Sequence, residues 1–89
     1  MTDKKYNFSE ILYKLKDGYI ACRDSNKNQL FYLENSSVMI FNMKENIRHS
    51  HLFKNNEIFA EDWMCLGPYS EIDKIIFIYT ANNTNDKNN

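Results

Sequence analysis

Residues 37–66 read SVMIFNMKENIRHSHLFKNNEIFAEDWMCL, and the order of parts within them decides the fold. Two β-rich runs, 38–43 and 47–53, flank Lys44-Glu45-Asn46, which predicts a hairpin. Arg48, Ser50 and the two histidines make its second strand amphipathic. Asn55 or Asn56 can cap a short helix running through Asp62, with Ile58 and Phe59 facing inward. Residues 63–66 then form a brief strand, stopped by Gly67-Pro68. The expected fold class is α+β, an N-terminal helix packed on a small, largely antiparallel sheet with this short second helix before Trp63.

Toward the N-terminus, Asn7-Phe8-Ser9-Glu10 has the spacing of a capping box, and a helix is expected to start there. Phe8, Ile11, Leu12 and Leu15 follow at i, i+3, i+4 and i+7, one apolar stripe of an amphipathic helix. Lys14 and Lys16 suit the negative end of its dipole, and Gly18 is placed as the left-handed terminator. Tyr13 falls off the stripe, as a surface aromatic or part of a contact between subunits. Residues 19–23 and 29–33 read as a second hairpin around Asp24-Ser25-Asn26-Lys27-Asn28, a segment rich in turn formers.

Toward the C-terminus, residues 72–80 contain Ile75-Ile76-Phe77-Ile78-Tyr79. This run reads as a strand apolar on both faces, lying centrally in the sheet or covered by another copy of the chain. Residues 81–89 are polar, Asn-rich and without period, and read as a disordered tail after a single domain over 1–80.

A chain of 89 residues is one domain at most. A domain this small buries only about 60% of the surface its unfolded chain exposes. With no metal motif and no disulfide framework, self-association is the expected remedy, so the protein is predicted to be a homo-oligomer. Its 11 basic and 12 acidic residues are spread along the chain, which argues against binding duplex nucleic acid. No run approaches the roughly 18–20 apolar residues of a membrane span, and none near the N-terminus could serve as a signal-peptide core. Cys22 and Cys65 lie in apolar runs as small hydrophobes with free thiols, which points to the cytosol.

The segment ending Ala60-Glu61-Asp62-Trp63 resembles the C-terminal half of a small phage protein family that closes with a Leu-Ala-x-Asp-Trp element. Phe8, Leu12, Leu15, Lys16, Gly18 and Arg23 fall on the family's N-terminal pattern, so the resemblance spans about residues 8–66. Members include the Thoeris anti-defence sponges, which bind a cyclic ADP-ribose-type signal and withhold it from a host immune effector. The family's usual Gly-Trp-Asn-Gly-Lys-Gly turn is replaced here by Ser25-Asn26-Lys27-Asn28-Gln29-Leu30. Its Pro-Trp-x-Pro-Ser-Gln-x-Asp element reads Ser50-His51-Leu52-Phe53-Lys54-Asn55-Asn56-Glu57, a scaffold kept with the pocket changed.

The resemblance implies a phage-type immune-evasion protein in the host cytosol that sequesters a cyclic nucleotide or ADP-ribose-type molecule without catalysis or cofactor. It places ligand recognition at Arg23, Asn26, Gln29, His51, Asn55 and Glu57. Aromatic faces for a base (Tyr32, Phe41 or Trp63) and further cations for phosphate (Lys27, Arg48 or Lys54) are present, although most such residues in a small β-rich domain are core or solvated turn. Trp63 reads first as a core residue. His49 and His51 share a strand face, but no third ligand is spaced to complete a metal site. Glu61 and Asp62 are adjacent on the expected helix and diverge by about 100°, so they cannot serve one substrate as acid and base. No nucleophile elbow or phosphate loop is present. The other reading is a protein-binding inhibitor of a host enzyme built on the same scaffold.

Overall fold

A computed structural model describes residues 4–78. Helix α1 (Phe8–Lys16) is followed by strands β1 (Tyr19–Arg23), β2 (Asn26–Glu34), β3 (Ser37–Asn42) and β4 (Ile47–Ser50). A single-turn helix α2 (Asn55–Ile58) leads into β5 (Trp63–Pro68), and a 3₁₀ turn (Tyr69–Glu71) leads into a last helix, α3, over residues 72–78. The strands form one antiparallel sheet in the order β4-β3-β2-β1-β5. The fold is α+β, with a helix on an antiparallel sheet and a short helix before the Trp63 strand.

α1 forms where the capping box places it. The Asn7 side chain accepts from the Glu10 N–H at 2.9 Å and the Glu10 carboxylate accepts from the Asn7 N–H at 2.9 Å. Its stripe buries Ile11 and Leu15 completely, and Gly18 ends it with φ +91°. Both hairpins are present, with different limits. β2 starts at Asn26, so the first turn shrinks to Asp24-Ser25; Asn28 contributes its carbonyl to the Met43 N–H at 2.8 Å. The β2–β3 turn, Asn35-Ser36, has two positive φ angles, the geometry whose twist matches a two-residue hairpin.

β4 and β5 run in the same direction at opposite edges of the sheet. Residues 51–62 therefore cross one face to join them, beside α1. On that face Ile11, Leu15, Ala21, Phe31, Ile40 and Trp63 form one core. On the other, Ile20, Cys22, Leu30, Tyr32, Phe41 and Met64 form a second, closed by Ile72 and Ile75 from α3.

Three expectations are corrected. Residues 72–78 are helical rather than a strand: Ile72 and Ile75 pack on the sheet while Phe77 is 70% and Ile78 47% exposed. The second sheet face presents Ile20, Leu30, Phe41 and Met64 and needs a cover, and the i, i+3, i+4 spacing of Ile72, Ile75 and Ile76 supplies it, overriding the β preference of the run. Gly67, at φ +152°, lies under this helix; a Cβ there would come within 3.2 Å of Ile75 Cδ1. Next, α2 ends at Ile58 rather than Asp62, and Ile58 and Phe59 face outward, because the side chain it turns to the sheet is Glu57. Finally, β4 ends at Ser50, so residues 51–53 belong to the crossover. The predicted tail, 81–89, and the end of the predicted strand, 79–80, lie outside the described residues. Among the described residues no helix is long and apolar enough to cross a membrane.

Candidate functional site

The crossover is anchored by Glu57. It is 8% exposed, and its carboxylate is met by His51 Nε2 at 2.9 and 3.1 Å and by the Lys54 N–H at 2.7 Å. Lys54 has no acceptor to return the second half of a capping box, so the carboxylate alone caps α2. The Glu57 carbonyl accepts from the Trp63 indole N–H at 3.0 Å. One residue thus ties the helix start, the histidine and the fully buried tryptophan together.

Rings fill the space around it. Phe31 lies 5.4 Å from the His51 ring and 5.0 Å from Trp63, both edge-on, and Phe53 lies 4.9 Å from Phe8. Such edge contacts add to area burial. Trp63 is core, as its strand position implied.

At the other end of Trp63, the Arg23 guanidinium sits 5.6 Å from the ring centre and hydrogen-bonds through Nε to the Asp62 carboxylate. The second Asp62 oxygen accepts from the Ser25 N–H at 3.1 Å, and the Asp62 carbonyl from the Asp24 N–H at 2.9 Å. Burial works to raise the Asp62 carboxyl, but the Arg23 hydrogen bond and charge, with the Ser25 N–H, hold it below its ordinary value. Asp24, on the turn itself, is held below its ordinary value by a hydrogen bond from Lys27 and by the charge of Lys5.

The six residues singled out in the sequence therefore fall into two groups joined through Trp63. Arg23 and Asn26 flank the β1–β2 turn; Asn26 is exposed and accepts from the Asn28 N–H at 3.4 Å. Gln29 is half-buried in the ladder opposite Asn42. His51, Asn55 and Glu57 lie on the crossover, with Asn55 exposed at the first position of α2. His49 contacts its neighbour, Nδ1 lying 2.9 Å from the Ser50 carbonyl. Among the described residues no three His, Cys, Asp or Glu side chains converge as metal ligands. Burial pushes the Cys22 thiol up to about 11, so it is packing material rather than a nucleophile.

Two clefts border the crossover. One, about 460 Å³, is lined by Ser36, Ser37, Val38, Ser50, His51 and Leu52 at the sheet end where the β2–β3 turn meets the start of the crossover. The other, about 330 Å³, runs between Asn7-Phe8-Ser9 and residues 58–61. Sequence reasoning missed the serines of the first cleft, whose one signal was the Asn35-Ser36-Ser37 turn. It also missed the role of Asp62 as the partner that fixes Arg23. Compared with protein-family models and with curated proteins, the chain matches none of either.

Proposed function

We propose that this protein binds a nucleotide-type second messenger and withholds it without turning it over, as a phage-type immune-evasion protein acting in the host cytosol. The observation that carries the reading is the cleft of about 460 Å³ in which His51 stands beside the hydroxyl-bearing Ser36, Ser37 and Ser50. Its volume falls in the range of small-molecule pockets, and hydroxyls with an oriented imidazole suit ribose and phosphate oxygens. Glu57 serves this reading indirectly, by fixing the imidazole through Nε2. Arg23 serves it less directly still, since Asp62 already holds its guanidinium.

The working form in this reading is a homo-oligomer. The rationale is no longer a two-faced strand but the exposure of Phe77 and Ile78 on α3. Light scattering at tens of micromolar tests it, with a strict monomer as the contrary result.

A second reading, a protein-binding inhibitor of a host enzyme, is favoured by Leu52 and Phe59, 89% and 78% exposed on one crossover. Melting the protein with a panel of cyclic nucleotides and ADP-ribose derivatives separates the two, because a ligand specific to the folded state raises the Tm by mass action. A stabilising ligand recovered intact after denaturation supports the sponge. A chemically altered ligand makes the protein an enzyme, and a panel without effect favours the protein partner.

A further inference from the structure

His51, the first residue of the crossover, is held in its cleft from three sides. Its N–H donates to the Val38 carbonyl at 3.0 Å, and its ring meets Phe31 at 5.4 Å and Phe53 at 5.8 Å, both edge-on. Its Nε2 faces both oxygens of the Glu57 carboxylate, at 2.9 and 3.1 Å. A carboxylate only accepts, so the proton of the neutral ring stands on Nε2, and Nδ1 is the nitrogen left to serve as an acceptor. The rest of the cleft has matching chemistry. Ser36, Ser37 and Ser50 bring hydroxyls that donate or accept, and Val38 and Leu52 bring apolar surface. Among the described residues that line it there is no Lys or Arg.

We infer that this cleft takes the sugar of a nucleotide, reading its vicinal hydroxyls through His51 Nδ1 and the serines, and turns the phosphate linkage away. The inference rests on the cleft being the ligand site of the reading above, and names the part of the ligand held there. A sugar hydroxyl donates to Nδ1 and accepts from a serine, while the C–H face of the ring lies on Val38 and Leu52. A phosphodiester or pyrophosphate oxygen only accepts. Against Nδ1 it sets lone pair on lone pair, and no fixed cation in the lining offsets its desolvation. Glu57 is then a positioning residue, which sets the selectivity of the cleft by choosing the tautomer of His51.

The test uses the full chain, with adenosine, 2′,3′-dideoxyadenosine and dimethyl phosphate as probes, and reads the His51 ring nitrogens by long-range proton–nitrogen NMR. The free protein is expected to carry the proton on Nε2. Adenosine should shift Nδ1 saturably, and the dideoxy compound should bind about tenfold more weakly for its lost hydroxyls. Dimethyl phosphate, a diester without a hydroxyl, should leave the ring unmoved. In Glu57→Gln the amide carbonyl still accepts from the Lys54 N–H while the amide NH₂ donates to Nε2, which moves the ring proton to Nδ1. That variant should gain a response to dimethyl phosphate that the parent lacks, a gain that mere loss of structure does not produce. Equal affinity for adenosine and its dideoxy form, no shift with adenosine, a phosphate response in the parent, or folded Glu57→Gln without the gain overturns the inference. A cyclic nucleotide that raises the Tm without shifting Nδ1 overturns it as well, and leaves the sequestration reading standing with its site elsewhere. Adenosine bound as described, with no messenger in the panel stabilising the fold, supports the sugar site and removes that reading instead.

Discussion

Among the described residues, the α1 face of the sheet is held by hydrogen bonds that Glu57 accepts from His51, the Lys54 N–H and the Trp63 indole, whereas the α3 face is packed from aliphatic and aromatic side chains around the buried Tyr32 ring. The first face is covered by a crossover whose four-residue helix has too little backbone of its own to hold it in place. The Glu57 carboxylate, the Trp63 indole and the edge-on rings do that instead. The second face is covered by a helix whose isoleucines need no hydrogen bonds to seat. Polar anchoring goes with the irregular segment and apolar anchoring with the regular one, because irregular backbone leaves donors and acceptors that must be met.

The comparison breaks most visibly at Trp63. Trp63→Ala should cost about 3–5 kcal/mol, close to the whole stability of so small a domain, and circular dichroism should find it unfolded or barely folded. A variant that melts like the parent would move Trp63 out of the core.

Ile75→Ala should cost about 2–4 kcal/mol, whereas Phe77→Ser should cost the single subunit no more than about 0.5 kcal/mol, as chemical denaturation at concentrations below any assembly would report. A strand buried on both faces would instead lose heavily at both positions.

Glu57→Ala should cost about 1.5–3 kcal/mol, since it strands a half-buried imidazole and the Lys54 N–H together. The resemblance placed ligand recognition at Glu57; in the structure its carboxylate is engaged by His51 and the Lys54 N–H, so its removal is expected to cost fold stability first. A Tm unchanged from the parent would restore the earlier role.

The smallest effect is electrostatic. Asp62 has its folded pKa depressed, so its contribution is present above the ordinary carboxylate value near 3.9 and fades as pH falls through the folded value. Asp62→Asn should therefore destabilise the protein near neutrality and flatten the acid limb of its stability curve between about pH 4 and the folded value. An acid limb identical to the parent's would show that Arg23 gains nothing from the pairing. The pair is partly solvent-exposed, so screening keeps this effect below the others.

What could be read from the sequence was whatever local chemistry alone decides. Asn7, Glu10, the Ile11–Leu15 stripe and Gly18 fix α1 within its own segment, and the structure places each where the pattern does. Residues 72–78 failed for the opposite reason. Ile75 to Ile78 is apolar by either period, and only the presence of an uncovered sheet face selects the helix. The site was legible as residue types and not as pairings. His51 and Glu57 were named without sign that they meet, because the short helix ending at Ile58 is what turns Glu57 inward. Arg23 was named without Asp62, whose partnership rests on strand pairing 39 positions away.

That same separation sets the order in which the chain can assemble. β1 to β4 form by neighbouring hairpins whose ends are already close, so their loop-closure entropy is small. β5 reaches its place beside β1 only after the intervening chain has been threaded across the sheet. The Arg23–Asp62 and Tyr6–Trp63 contacts are therefore the clasp closed late, and the transition state for folding should contain the four-strand meander with β5 still loose. A nascent chain released before residue 63 would hold an open sheet edge at β1, exposed to whatever strand arrives first.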